Sequence, residues 1–66
     1  MIKDWNIEGI ADKIIEAMKE DNADLDALDD YVHSIAYLTV YSREPDDADA
    51  VAALVKEKVT EKYEES

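Results

Sequence analysis

Residues 24–41 read DLDALDDYVHSIAYLTVY. Leu25, Leu28, Val32, Ile35, Ala36 and Thr39 recur there at three- and four-residue steps, which puts them on one side of a helix at about 100° per residue. Tyr31 and Leu38 widen that side to more than half of the circumference. A surface helix needs only one apolar stripe, so an arc this wide predicts a central helix that meets a neighbour on each flank.

Working outward, Ile7, Ile10, Ile14, Ala17 and Met18 repeat with the same period and predict a first helix over about residues 6–20. Gly9 is its weak point, at about 0.5 to 1 kcal/mol relative to Ala in a helix interior. Trp5 either continues the helix and projects away from the isoleucine stripe or folds back as an N-terminal lid. The pattern breaks at Asn22 or Ala23. On the other side, Ser42-Arg43-Glu44-Pro45 ends the central helix, because Pro45 cannot continue it and holds Glu44 in extended geometry. Pro45 suits the first turn of a third helix, over about residues 46–64, whose inward face carries Ala48, Val51, Ala52, Val55, Val59 and Tyr63. Residues 65–66 are expected to fray. Three amphipathic helices joined by loops of about 2 to 5 residues make one all-α domain, residues 1–66, folded as a small antiparallel up-down-up three-helix bundle.

Composition narrows the function classes. A chain of 66 residues buries only about 60% of the surface its unfolded form exposes, which leaves room for one small core. With 47% apolar residues it is too hydrophobic for the disordered class despite its 38% of charged residues. The absence of cysteine removes disulfides, thiolate nucleophiles and cysteine-ligated zinc, and points to a cytoplasmic setting. The opening Met1-Ile2-Lys3-Asp4-Trp5 lacks a signal-peptide pattern. The longest apolar run, Ile35 to Tyr41 with Ser34 before it and Thr39 inside it, falls far short of the roughly 18 residues of a membrane span.

Charge is the strongest functional signal. Eighteen acids against seven bases give a net charge of -11, and no basic residue stands between Lys19 and Arg43. Asp24, Asp26 and Asp29, and likewise Asp46, Asp47 and Asp49, fall in opening turns of helices, where carboxylates accept from free N–H groups and oppose the helix dipole. Capping accounts for much of the acidity, but not for the missing bases, since exposed helix faces normally carry Lys or Arg four residues from Glu or Asp. On the helical wheel Tyr37 and Tyr41 share the outward side of the central helix with Asp26, Asp30, His33 and Ser34. Tyrosine supplies large contact area at little entropic cost, unless the first or third helix leans over Tyr37 and covers it as core. Asp26, Asp30, Tyr37 and Tyr41, extended by Glu20, Asp21, Glu44, Asp46 and Asp47, are therefore the candidate partner-binding residues, and the partner is a basic protein surface.

Other chemistries fit poorly. Asp29 and Asp30 precede the single histidine, His33, by four and three residues, but zinc needs three or four protein ligands, so no metal site is expected. A calcium loop begun at Asp24 has Asp26 at its third position, yet Leu28 at the fifth, Asp29 where Gly is required and Ile35 in place of the final Glu. There is no Gly-rich phosphate loop, and the adjacent His33 and Ser34 point about 100° apart, so neither enzymatic activity nor a cofactor is expected. An acyl-carrier role lacks its Asp-Ser-Leu attachment motif, since Ser34 lies between His33 and Ile35.

Seven scattered bases do not make the positive stripe that phosphate contacts need, so nucleic acid is not bound directly. The acidity suggests the inverse, a nucleic-acid mimic of the kind found among phage- and plasmid-borne inhibitors, by analogy of charge and size alone. The alternative is a structural module that forms a homodimer or joins a larger assembly. Ala50, Ala53 and Leu54 make a shallow patch off the core face of the third helix, unless Leu54 packs as a flank of the core.

Overall fold

The computed structural model describes residues 5–65, so the leader reading at residues 1–4 and the tail residue Ser66 lie outside the described residues. Three helical rods make up the fold. The first, α1, is Ile7–Asp21. Asn6 caps it, with the Gly9 N–H donating to Asn6 Oδ1 at 3.0 Å. A β-carbon on Gly9 would come 2.8 Å from Asn6 Cγ, so the glycine that weakens the helix also leaves space for its cap. At the far end Asn22 takes the left-handed conformation (φ 57°, ψ 36°). Its N–H donates to the Lys19 carbonyl and that of Ala23 to the Met18 carbonyl, at 3.2 and 2.8 Å. These two bonds form a Schellman motif that satisfies carbonyls the helix end would otherwise leave open.

The second rod, α2, covers residues 25–43 and changes its winding along its length. It opens as a 3₁₀ turn, Leu25–Ala27, with the Asp26 N–H donating to Asp24 at 3.1 Å. It continues as α-helix over Leu28–Tyr31, widens to a π-helix over Val32–Tyr37 and returns to α-helix over Leu38–Arg43. The Leu38 N–H donates to the carbonyl of His33, five residues back. Within the widened turn the Ser34 hydroxyl donates to the Asp30 carbonyl at 2.9 Å, a back-bond that loosens regular winding. Glu44 leaves the helical region (φ -139°, ψ 82°), which a residue before proline disfavours. The third rod, α3, is Pro45–Glu65. At 1.5 Å per residue its 21 residues account for the 31 Å long axis of the molecule.

Cross-links fix the topology. The Trp5 Nε1–H donates to Asp47 at 3.3 Å, joining the start of α1 to the start of α3. The Tyr63 hydroxyl donates to the Ala23 carbonyl, joining their ends. The two helices therefore run parallel, and α2 runs antiparallel between them, with Lys56 of α3 paired to Asp29 of α2 at 2.6 Å.

Side chains from all three rods close the core: Ala11, Ile14 and Met18; Leu28, Val32, Ala36 and Val40; Ala48, Val51, Val55 and Val59. No polar or charged side chain is buried among the described residues. For α3 the inward face matches the periodicity, with Ala52 and Tyr63 packed at its margin. For α2 it does not. Thr39, expected inside, is exposed; Leu38, expected to widen the inward arc, is 49% exposed; and Val40, absent from the expected face, is completely buried. The π-helical turn explains the shift. In a regular α-helix each four-residue step overshoots a full turn by about 40°, so the run from residue 28 to 40 would drift by about 120°. A turn closed five residues back winds more slowly and cancels the drift. Leu28, Val32, Ala36 and Val40 then stay in one line facing α1 and α3.

Candidate interaction surface

The slow winding also arranges the surface of α2. His33, Tyr37 and Tyr41, again four residues apart, form a stack with ring centroids 5.2 and 5.7 Å apart and planes within 16° and 20° of parallel. Offset stacking of this kind is favourable for aromatic pairs. Tyr37 is half-buried against the core, whereas His33 is exposed and Tyr41 is 51% exposed. The row is thus anchored in the middle and open at both ends. Four-residue periodicity places Asp26, Asp30, Ser34 and Leu38 on the neighbouring, more outward line of α2, and all four are exposed. His33 enters as a ring in the stack, and the described residues include no cluster of three or more potential metal ligands.

The nine candidate residues do not form one cluster. Glu20, Asp21 and Asp26 lie at the end of the bundle where α1 passes into α2. Glu44, Asp46 and Asp47 lie at the opposite end, around the α2–α3 corner. Residues 26 and 44 are separated by about 27 Å at the α-helical rise. Two acidic poles result, with Asp30 and the ring row between them and Tyr41 next to the corner pole. Their separation follows from the length of α2, which sets the two loops at opposite ends of the bundle.

Several carboxylates serve the fold. Asp21 accepts the Tyr31 hydroxyl at 2.7 Å, and this bond, helped by desolvation and by the negative charge nearby, raises the Tyr31 phenol above its ordinary pKa of 10.0. Asp47 accepts from Trp5 and is half-buried. Asp29 holds Lys56 across the α2–α3 contact. Lys62 spans from α3 to α1, at 3.0 Å from Asp12 and 3.5 Å from Glu8. Its hydrogen bond to Asp12 leads the causes that raise its pKa, against a smaller opposing effect of desolvation. Among the described residues, no Lys or Arg lies within ion-pair distance of Asp26, Asp30, Glu44 or Asp46.

The α2–α3 corner holds a group that the one-dimensional pattern hides. The Arg43 guanidinium lies over the Trp5 ring at 5.5 Å, and the indole N–H of the same ring is bound to Asp47. Trp5 thus packs against the end of α2 and the start of α3. Farther along α3, Ala50 and Ala53 are exposed and Leu54 is 40% exposed. A shallow groove lined by Ile10, Lys13, Ser34, Ile35 and Thr39 runs between α1 and α2. No helix among the described residues is long and apolar enough to cross a membrane. No protein-family model, curated protein or solved structure matches the chain.

Proposed function

We propose that this chain is a small acidic interaction module of the cytoplasm that docks on a basic protein surface and performs no catalysis. The observation that carries this reading is the exposed line of α2. Asp26 and Asp30 lie beside the His33–Tyr37–Tyr41 row without a cationic partner among the described residues. Carboxylates left open in this way steer a basic partner into place and make association fast and salt-dependent, while desolvated tyrosine supplies affinity. In its most concrete form the partner is a nucleic-acid-binding protein whose groove the two acidic poles occupy in place of phosphates. Partners captured from the native host test this directly, first by salt and then by DNA competition. Binding that is unchanged between low and near-molar salt refutes the electrostatic reading, and partners without a basic groove refute the mimic.

A second reading rests on Leu54, which is 40% exposed beside the exposed Ala50 and Ala53. Small residues allow a second helix to approach closely, so the same chain docks to a copy of itself or to a larger assembly through α3. Sedimentation over a range of concentrations separates the two readings. A strict monomer counts against self-association, and a dimer that covers Tyr41 removes the proposed binding face.

A further inference from the structure

We propose that the groove between α1 and α2 binds a medium-chain aliphatic carboxylate, its chain on Ile10 and Ile35 and its head group on Lys13 and Thr39. This goes beyond the acidic-module reading and does not rest on it. The groove has a volume of about 390 Å³, in the lower part of the range of small-molecule sites. At about 30 Å³ per non-hydrogen atom, the share of one water in the liquid, it has room for about a dozen such atoms, enough for octanoate.

Two helices give the groove its walls. Ile10 and Lys13, one turn apart, come from α1, and Ser34, Ile35 and Thr39 come from α2. Both isoleucines are half-buried and pack against the core, so the apolar part of the groove is fixed by the fold. Ser34 and Ile35 belong to the π-helical turn, an irregularity found frequently at functional sites. The same turn brings Thr39 outward, where a regular helix would direct it to the core.

Two polar groups of the groove have no partner among the described residues. The hydroxyls of Ser34, Ser42 and Thr60 each donate to a carbonyl of their own helix at 2.9 Å, whereas that of Thr39 donates to none. Lys13 is exposed with no carboxylate within ion-pair distance, in a chain with eighteen acids, while Lys56 and Lys62 both pair. A cation and a free hydroxyl beside an apolar surface match a carboxylate on an aliphatic chain. Its oxygens accept from both donors and its methylenes cover the isoleucines. A bare anion gains nothing from the isoleucines, and a neutral chain gains nothing from the charge of Lys13. The net charge of -11 repels any anion at long range, but at about 0.15 M salt that repulsion is screened beyond about 8 Å, and the Lys13 contact is direct.

Titration of the whole chain with octanoate at about 0.15 M salt, followed by two-dimensional NMR, tests the site. Saturable shifts are expected at Ile10, Lys13, Ile35 and Thr39. Lys13→Gln is expected to weaken binding about two- to five-fold, the range of an exposed ion pair, and Thr39→Val about two-fold. Both residues are exposed, and thermal melts check that the variants fold. Octanol, with the same chain and no charge, is expected to bind more weakly and to be unaffected by Lys13→Gln. Its comparison with octanoate uses the unaltered chain and so decides the head-group assignment even if a variant fails to fold. Shifts that do not saturate or that scatter over the surface overturn the site. Octanol binding as tightly as octanoate, or octanoate binding unchanged by Lys13→Gln, also overturns it, leaving an adventitious apolar contact only.

Discussion

Replacing Val40 by alanine tests the winding of α2, because Val40 is inside only if the helix slows between residues 32 and 37. Its side chain is completely buried. Removing two methyl-sized groups at about 0.8 kcal/mol each, with a further contribution from the cavity left behind, gives a loss of about 2 to 3 kcal/mol. A domain of this length has a total stability of about 3 to 10 kcal/mol, so the variant loses a large part of it. Thr39→Ala is the matched control. Alanine improves helix propensity at both positions by a similar amount, about half a kcal/mol, so the difference between the two variants reports burial. Thr39 is exposed, and its replacement is expected to change stability by no more than about 0.5 kcal/mol.

Urea unfolding followed by far-ultraviolet circular dichroism gives the readout, with Trp5 fluorescence as an independent probe. At a slope of about 1 kcal/mol per molar urea, Val40→Ala lowers the midpoint by about 2 to 3 M. In a thermal scan the melting temperature falls by about 10 to 20 °C. If Thr39→Ala proves as destabilising as Val40→Ala, α2 is a regular helix with residue 39 inside. The alignment of Leu28, Val32, Ala36 and Val40 is then wrong, and so is the ring stack that depends on it.

Three further outcomes follow from local geometry. Asn22→Val is expected to lower stability by about 1 to 2 kcal/mol in thermal melts, because a β-branched residue must hold the left-handed conformation, whereas Asn22→Gly keeps the Schellman turn. Asn6→Ala removes a cap at a cost of about 1 kcal/mol, and Gly9→Ala in that background is expected to recover about 0.5 to 1 kcal/mol. With Asn6 present the same Gly9→Ala change recovers less, since the new methyl displaces the cap, and strict additivity in the double-mutant cycle refutes that account. The Tyr31 phenol is raised chiefly by its hydrogen bond to Asp21, so its contribution to stability is fully present below its unfolded pKa of 10.0 and is lost as pH rises through the folded value. Tyr31→Phe is expected to flatten the alkaline fall in stability, and an unchanged alkaline limb excludes Tyr31 as its source.

The limits of the helices were legible because they are set by residues close in the chain. Asn22 and Pro45 act within one turn of their own positions, and the Asp24 side chain caps the N–H two residues on. The apolar periods of α1 and α3 needed no more than their own spacing, although Ala11, completely buried, fell outside the expected stripe. The face of α2 was legible only in part. A wheel at a fixed angle per residue cannot register a helix that winds as 3₁₀, α and π in turn. The four-residue spacing of His33, Tyr37 and Tyr41 was nonetheless a visible hint of their stack.

The sequence by itself determined three helices, their order, the size of the core and an acid excess that no helix carries bases to balance. These are sums over local patterns and counts. Tertiary structure decided the rest. Two flanking helices must both be met by one line of apolar side chains, and that requirement selects the slower winding that buries Val40 and exposes Thr39. Bringing together residues 42 apart engages Asp47 with Trp5. Both results depend on which surfaces meet, and spacing along a single helix contains no information about a neighbour.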